Sequence, residues 1–390
     1  MSIKEKASCS KGASAAGLDH AILSASSSHR WLECPPSALL CFQAKEGASE
    51  FAMQGTEAHS LCEYKLKTAL GLKVKDPTKK LHYFDEEMAD CSDMYAQYVM
   101  EQFMYAKKEC KDPFILIEQR LDFSKWVPDG FGTGDCVIVS DETLTVIDFK
   151  YGIGILVAGK KNPQMMCYAL GALQLFDGIY DISSITMTIF QPRRGNVSTY
   201  TISKEELLKW ADEVLAPTAQ LAAKGEGEYK AGEHCQFCRI KATCRKRAEY
   251  SLELAKYDFK LPALLEDAEI ELVLSKIDAL VSWASDIKKY ALRQALAGKR
   301  WKDWKIVSGR ANRQYSDENT VAKIVENAGY DPYEHKVLGI TAMTKLLGKT
   351  RFEELLDGFI KRPQGKPTLA PMSDDRPAMN MLEDDFKEEK

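Results

Sequence analysis

The sequence predicts an α/β protein, in which a mixed sheet of about four strands is flanked by helices and followed by a mainly helical C-terminal region. Three observations lead to this fold class. Helical patterns dominate before residue 110, and short runs rich in β-branched residues follow them. Only Asp141 and Glu142 separate two of these runs, which is a gap of hairpin size. Beyond Cys244, long amphipathic patterns return.

Each element follows from a local signal. Pro35 and Pro36 suit the first turn of an early helix, and Gly71 suits the end of the next one. Four later runs have the composition and length of strands. Strands are expected at 114–123, 134–140, 143–150 and 182–190, and the main helices at 57–70, 86–110, 163–176, 204–223, 251–296, 317–328 and 340–359.

The chain is expected to contain four regions. Its 390 residues suggest about two domains with appendages. Ser, Ala and Gly dominate the N-terminus, whereas Pro, Asp and Glu dominate the end of the chain. We therefore expect a flexible N-terminus (1–25), an α/β domain with a cysteine cluster (26–250), a helical domain (251–360) and an acidic, loosely ordered tail (361–390).

Composition excludes several classes of protein. Acidic residues outnumber basic ones by 57 to 53, and the net charge of −4 excludes a polybasic coat for nucleic acid. No run of about 18 uncharged apolar residues exists that could span a membrane. The N-terminus has no apolar stretch of signal-peptide length, so we expect a cytoplasmic protein. In that compartment, the 11 cysteines are expected to be reduced thiols or metal ligands.

Two acids and a lysine form the most informative pattern. Asp135 opens one predicted strand, and Asp148 ends its hairpin partner. Asp148 and Lys150 are two residues apart, so a strand directs both to the same face. Converging carboxylates are typical ligands of Mg²⁺ or Mn²⁺, and a nearby lysine can orient water or neutralise developing charge. The alternative is that these are ordinary surface residues at strand ends.

Helical spacing brings further polar residues into this pattern. Gln164 and Tyr168 are four residues apart on one predicted helix, and His59 and Glu63 have the same spacing on an earlier one. His59 offers an imidazole to the same ion, whereas Glu63 is equally well explained as a solvated residue. We interpret Glu118 as structural. The glycines before Asp135 would let a nucleic-acid backbone approach.

A cysteine cluster indicates a second metal site. Cys235, Cys238 and Cys244 lie within ten residues of one another. Thiolates at this spacing bind soft metals, but three leave one coordination position to fill. Zinc could take His234 or a distant thiol, whereas a four-iron cluster needs a fourth cysteine.

Basic residues near aromatic ones predict a DNA-binding surface. The alternative is that the basic residues form an ordinary solvated helix face. The first group follows the cysteine cluster, and the second lies beside Trp301 and Trp304. The residues selected as DNA-binding are Arg245, Lys246, Arg247, Lys299 and Arg300.

The order of these motifs resembles the RecB-type branch of the PD-(D/E)XK nucleases. The matching residues are Gly55, Thr56, His59, Gly134, Asp135, Asp148, Lys150, Gln164 and Tyr168. The resemblance covers residues 30–250 and implies a restriction-endonuclease-like core. It also implies that His59, Asp135 and Asp148 bind Mg²⁺ or Mn²⁺, that Lys150 assists catalysis, and that Gln164 and Tyr168 support the site. Asp148 stands where many relatives carry Glu.

Iron–sulfur members of this branch supply one cysteine before the nuclease core and three after it. Cys34 stands in the matching early place, with Cys41 as the fallback. The resemblance thus implies a 4Fe-4S cluster on Cys34, Cys235, Cys238 and Cys244 that joins the two ends of the domain. A zinc ribbon with His234 is the alternative.

Three C-terminal segments resemble a family of phage and prophage proteins long described as a domain of unknown function. They are GRANRQYSDE (309–318), KVLGITAMTKLLGK (336–349) and KPTLAPMSDDRPA (366–378). Taken together, the resemblances imply a DNA exonuclease in a bacterial host cell, which prepares single strands for phage recombination. A phage single-strand annealing or single-strand-binding protein is an expected partner. The alternatives are an endonuclease or flap nuclease of the same fold, or a non-catalytic module that binds DNA or a partner.

Overall fold

The computed structural model describes residues 21–44, 50–176, 178–253, 265–307, 316–333 and 337–360. The chain divides into two compact units between Ala291 and Leu292. The first unit contains a five-stranded mixed sheet with flanking helices, and the second is mainly helical where it is described. Most of the predicted flexible N-terminus and the whole predicted acidic tail lie outside the described residues.

The strands of the sheet are β1 (Phe114–Asp122), β2 (Phe131–Val139), β3 (Thr143–Phe149), β4 (Ser184–Gln191) and β5 (Asn196–Ser203). Their order is β1-β2-β3-β4-β5, so sequential strands are also neighbours. β3 and β4 are parallel, and the other three pairs are antiparallel. A parallel pair needs a crossover, and the helix that follows β3 supplies it.

The edge strand β5 adds to the roughly four strands predicted from the sequence. It pairs with β4 after a turn in which Gly195 adopts a left-handed conformation. Its side chains are mostly polar or exposed, as in the Thr188–Thr199 and Thr186–Thr201 hydrogen-bonded pairs with β4. No apolar run marks this segment as a strand in the sequence.

The helices are α1 (Ser28–Trp31), α2 (Ser37–Gln43), α3 (Glu50–Ala69), α4 (Glu86–Glu109), α5 (Pro163–Phe176), α6 (Lys204–Trp210), α7 (Ala216–Lys224), α8 (Arg245–Leu252), α9 (Asp267–Leu296), α10 (Glu318–Asn327), α11 (Ile340–Leu347) and α12 (Lys349–Leu356). They lie close to the predicted ranges, with four differences. The early helix α3 begins before residue 57, and the helix predicted over 204–223 is interrupted by a π-helical turn, Ala211–Leu215. The range predicted as helical over 251–296 is divided between α8 and α9, and the one predicted over 340–359 is divided between α11 and α12 at Gly348.

Both faces of the sheet are covered by apolar clusters. Val137 and Val146 pack with α5 on one face. Ile138 and Ile147 pack with α3 and α4 on the other face. This alternation in β2 and β3 buries a strand pair on both sides. Consequently, α3 and α5 approach the ends of these strands from opposite faces.

Candidate metal and thiol sites

Three acids lie in one row across β1, β2 and β3. Ile117 pairs with Cys136 and Gln119 with Gly134, so the register puts Glu118 opposite Asp135. Cys136 pairs with Ile147, and the same register continued by one residue puts Asp135 opposite Asp148. The hairpin geometry therefore brings together acids that are far apart in sequence.

Glu118 has a backbone conformation that is rare in a strand. Its φ of 51° is left-handed. Ile117 and Leu121 would share a face in a regular strand, yet they pack in clusters on opposite faces. Such strain costs about 1–3 kcal/mol and concentrates at functional sites.

Glu118, His59 and Asp135 form a group that could hold a metal ion. One ligand atom from each lies within 4.8 Å of the other two. His59 Nδ1 is 3.1 Å from Asp135 Oδ1. The sequence favours a structural role for Glu118, whereas its place in this group makes it a candidate ligand. The β1–β2 register is the signal that could have revealed it. Glu63, in contrast, pairs with Lys67.

Asp148, Lys150, Gln164 and Tyr168 form a connected polar group beside these acids. Lys150 Nζ lies 2.9 Å from Asp148 Oδ2 and donates to Gln164 Oε1 at 3.2 Å. Gln164 Nε2 lies 3.1 Å from Asp148 Oδ1 and 3.2 Å from the Tyr168 hydroxyl. Spacing in the sequence predicted this convergence of β3 and α5, and the structure places all four residues together.

Burial and neighbouring charges shift the pKa values of the three candidate metal ligands. Burial alone would lower the pKa of His59, but the Asp135 carboxylate raises it to about 9. Burial and the negative charge of Asp135 raise the pKa of Glu118 to about 7. Burial opposes ionisation of Asp135, yet His59 holds its pKa below the usual value. A divalent cation would relieve this mutual repulsion of acids.

In the second polar group, the side chain of Lys150 stays protonated. Burial alone would lower the pKa of Lys150, but Asp148 and Asp135 raise it. Burial and the nearby Asp135 raise the pKa of Asp148, against the effect of Lys150. Lys150 is therefore a fixed cation next to the row of acids.

The donor set fits a hard divalent cation. Carboxylate oxygens with one imidazole are suitable ligands for Mn²⁺, and oxygen ligands suit Mg²⁺. Asp148 Oδ2 is buried and accepts no hydrogen bond of regular geometry, although Lys150 Nζ lies beside it. The adjacent Lys150 ammonium supplies the positive charge that this buried oxygen needs.

The glycines before Asp135 make room for protein side chains. A Cβ on Gly132 would lie 2.7 Å from Tyr168 Cε1, and one on Gly134 would lie 2.7 Å from Leu121 Cδ1. These glycines therefore allow close packing of Tyr168 and Leu121, and the approach of a nucleic-acid backbone stays a prediction.

The predicted cluster cysteines meet at a second place in the same unit. Cys34, Cys235, Cys238 and Cys244 line one cavity, with Arg30 and His234 among the other residues around it. Cys34 follows α1, whereas the other three lie between α7 and α8. All four are free thiols. Four thiols around one cavity fit a soft metal or an iron–sulfur cluster.

Two neighbours of this cavity bear on the alternatives left open by the sequence. Cys41 Sγ is 3.5 Å from Cys238 Sγ and accepts a hydrogen bond from Arg239 N at 3.3 Å. The contact with Cys238 lowers the pKa of Cys41 to about 6. His234 Nε2 lies 2.9 Å from Lys230 O. A hydrogen bond to that carbonyl requires a proton on Nε2, which also lies 3.8 Å from Cys235 Sγ.

The predicted DNA-binding residues differ in exposure. Arg247 is buried and donates to Asp286 Oδ2 at 2.6 Å, so it is removed from the exposed basic surface. Arg245, Lys246 and Arg300 are exposed. Lys299 Nζ lies 4.2 Å from the centre of the Trp301 ring.

No described helix has the length and apolar content needed to cross a membrane. One solved chain that is similar to this one is described as "Crystal structure of SSO0001", with 12% sequence identity and a TM-score of 0.22. The match covers 50% of this chain and 98% of that one. The family described as "Protein of unknown function (DUF2800)" matches residues 20–377. This chain therefore belongs to the DUF2800 family.

Proposed function

We propose that this chain is a metal-dependent deoxyribonuclease with a RecB-type PD-(D/E)XK core. The observation that carries the proposal is the convergence of a candidate metal-ligand group with an ion pair between a buried acid and a half-buried lysine. His59, Glu118 and Asp135 supply the first, and Asp148 and Lys150 supply the second. This combination is suited to hydrolysis of a phosphodiester, in which negative charge develops on phosphate oxygens.

Each residue has a distinct part in this proposal. Asp135 and His59 would hold Mg²⁺ or Mn²⁺ with Glu118, and Asp148 is the further acid beside them. The bound ion would polarise the phosphate and lower the pKa of a water molecule. Lys150 remains protonated, so it orients the attacking water and neutralises charge and does not act as a general base.

Gln164 is a positioning residue. Its amide contacts both Lys150 and Asp148, and Tyr168 contacts the amide in turn. The oxygen of water bonds to phosphorus while the bond from phosphorus to the leaving oxygen breaks. One product therefore ends in a phosphate, and the other takes up a proton and ends in a hydroxyl. No covalent intermediate with the protein is required.

The four cysteines that line the cavity, Cys34, Cys235, Cys238 and Cys244, would hold a 4Fe-4S cluster, with zinc as the alternative metal. Such a cluster would join the segment after α1 to the segment before α8, which are about 200 residues apart. Closing a long loop restricts the unfolded chain, and therefore the cluster would stabilise the fold without redox turnover.

The proposed biological role is that of a phage-type exonuclease that prepares single strands for recombination. Its partners would be DNA and a single-strand annealing or single-strand-binding protein. Covalently closed circular DNA separates this role from that of an endonuclease, since an exonuclease cannot start on a molecule without ends.

The test uses the full chain, purified anaerobically, with linear DNA labelled at one end. We expect degradation that requires added Mg²⁺ or Mn²⁺ and stops with a chelator. Asp148→Asn should abolish it, whereas Asp278→Asn, an exposed acid on α9, should leave it unchanged. Metal-independent degradation, or equal activity of Asp148→Asn and the parent, would refute the proposal.

A further inference from the structure

The loop between β3 and α5 presents apolar side chains to solvent. Ile153, Ile155 and Leu156 are 51%, 43% and 59% exposed. Lys160 and Lys161 follow them and are also exposed. Exposed apolar side chains grouped with cations on one short loop differ from the scattered apolar residues of an ordinary surface.

Side-chain amides of the β4–β5 hairpin, one of them buried, hold the backbone of this loop. Gln191, which is 1% exposed, donates to Gly152 O at 2.6 Å and to Ile155 O at 2.8 Å. Asn196 donates to Val157 O at 2.9 Å. Because the backbone is held at these points, the exposed apolar side chains are presented in a fixed arrangement, and ordering them on binding costs little.

Both ends of the loop are anchored at the candidate active site. Lys150 precedes it and Gln164 follows it, and their side chains are 3.2 Å apart. Ile153 is three residues after Lys150, so chain geometry keeps their Cα atoms within about 11 Å. The same limit of about 11 Å applies to Lys161 and Gln164. Lys161 also has a left-handed φ of 51°.

We propose that this loop binds the unpaired bases of the strand being cut. A phosphate held at the row of acids leaves its neighbouring bases within reach of Ile153, Ile155 and Leu156. Apolar contact with base faces tolerates any sequence, and the two lysines complement the phosphates. In a duplex, paired bases are stacked and their faces are covered, so the substrate class is a single strand or a frayed end. This inference rests on the proposed nuclease function.

The test measures binding without cutting. The full chain with Asp148→Asn is titrated, in the presence of Mg²⁺, into a single-stranded oligonucleotide that carries the fluorescent base aminopurine near its end. The loop variant combines Ile153→Ser, Ile155→Ser and Leu156→Ser in the same background. The matched control is Ile179→Ser, which is 71% exposed and lies beyond the far end of α5, about 20 Å from Gln164 along the helix.

We expect the loop variant to bind the single strand about tenfold more weakly, with loss of the aminopurine signal, and the control to match its background. Binding to a duplex with sealed hairpin ends should be equally weak in all three proteins. Equal single-strand binding by the loop variant and its background would overturn the inference and leave the nuclease proposal intact. An equal loss on sealed duplex would show contact with paired DNA and would also overturn it. Failure of the background protein to bind any DNA would refute the nuclease proposal itself.

Discussion

The Asp135 carboxylate accepts a hydrogen bond of 2.7 Å from the backbone amide of Phe149. Phe149 lies between Asp148 and Lys150 in the chain, so this bond ties the acid of β2 to the segment that carries the other two groups. Oδ2 of Asp135 makes this bond while Oδ1 faces His59. The relative positions of the acids are therefore set by backbone contacts, which favours a site organised before a ligand binds.

Removal of the Gln164 amide should lower turnover more than substrate binding. Gln164→Ala is expected to reduce kcat about 10- to 100-fold with a smaller change in KM, because Asp148 and Lys150 lose a shared contact. Steady-state hydrolysis of labelled DNA measures this split. Gln97→Ala is the control, since Gln97 is exposed on α4 and bonds Glu101. A rise in KM at constant kcat would contradict the assigned role.

A methyl group at Gly132 should displace the Tyr168 ring. Because the added Cβ would lie 2.7 Å from that ring, Gly132→Ala is expected to reduce hydrolysis at least tenfold and to destabilise the protein by about 1–3 kcal/mol. Gly339→Ala, just before α11 with no atom within 4 Å of its added Cβ, should retain activity. Thermal unfolding and hydrolysis rates test both variants. Full activity of Gly132→Ala would show that the position of Tyr168 does not matter.

The two early cysteines should differ in their effect on the cluster. Cys34 lines the cavity with the three later cysteines, whereas the contact shown for Cys41 is with Cys238. We expect Cys34→Ser to lose the bound iron and its visible absorption, and Cys41→Ser to retain both. Iron and zinc analysis of anaerobically purified protein measures this. The opposite result would assign the fourth ligand to Cys41, and stoichiometric zinc without iron would favour the ribbon.

The contribution of His59 to the stability of the metal-free protein should be lost as the pH rises from about 6.5 to 9. Folding raises the pKa of His59 from 6.5 to about 9, so the folded state binds the proton more tightly over this interval. The stabilising effect is therefore full below pH 6.5 and is lost as the pH passes through the folded pKa. Thermal unfolding midpoints of the parent and His59→Gln should converge toward pH 10. A pH-independent difference between the two proteins would contradict the ion pair with Asp135.

Local rules were sufficient to predict part of the site. The two-residue period of a strand places Asp148 and Lys150 together, and the spacing of Gln164 and Tyr168 places both on one helix face. The hairpin-sized gap between β2 and β3 predicted that Asp135 would approach Asp148. These relationships depend on residues near in sequence or on one strand pair, and the structure brings them together.

Other features depend on tertiary relationships that a local pattern does not contain. Glu118 lies in the candidate metal-ligand group because of the register of β1 on β2 and its own left-handed backbone conformation. The burial of Arg247 requires Asp286 from the distant helix α9. The edge strand β5 carries threonines where an apolar pattern would have marked it.

The sharpest test of the metal site is a titration of the metal-free protein with Mn²⁺, followed by electron paramagnetic resonance of the free ion. The parent should bind Mn²⁺, Asp135→Asn should abolish this binding, and Glu118→Gln should weaken it at least about tenfold. Glu101→Gln, which changes an exposed acid on α4, should bind as the parent does. Failure of the parent to bind Mn²⁺, or equal binding by all four proteins, would contradict a divalent-cation site at the row of acids.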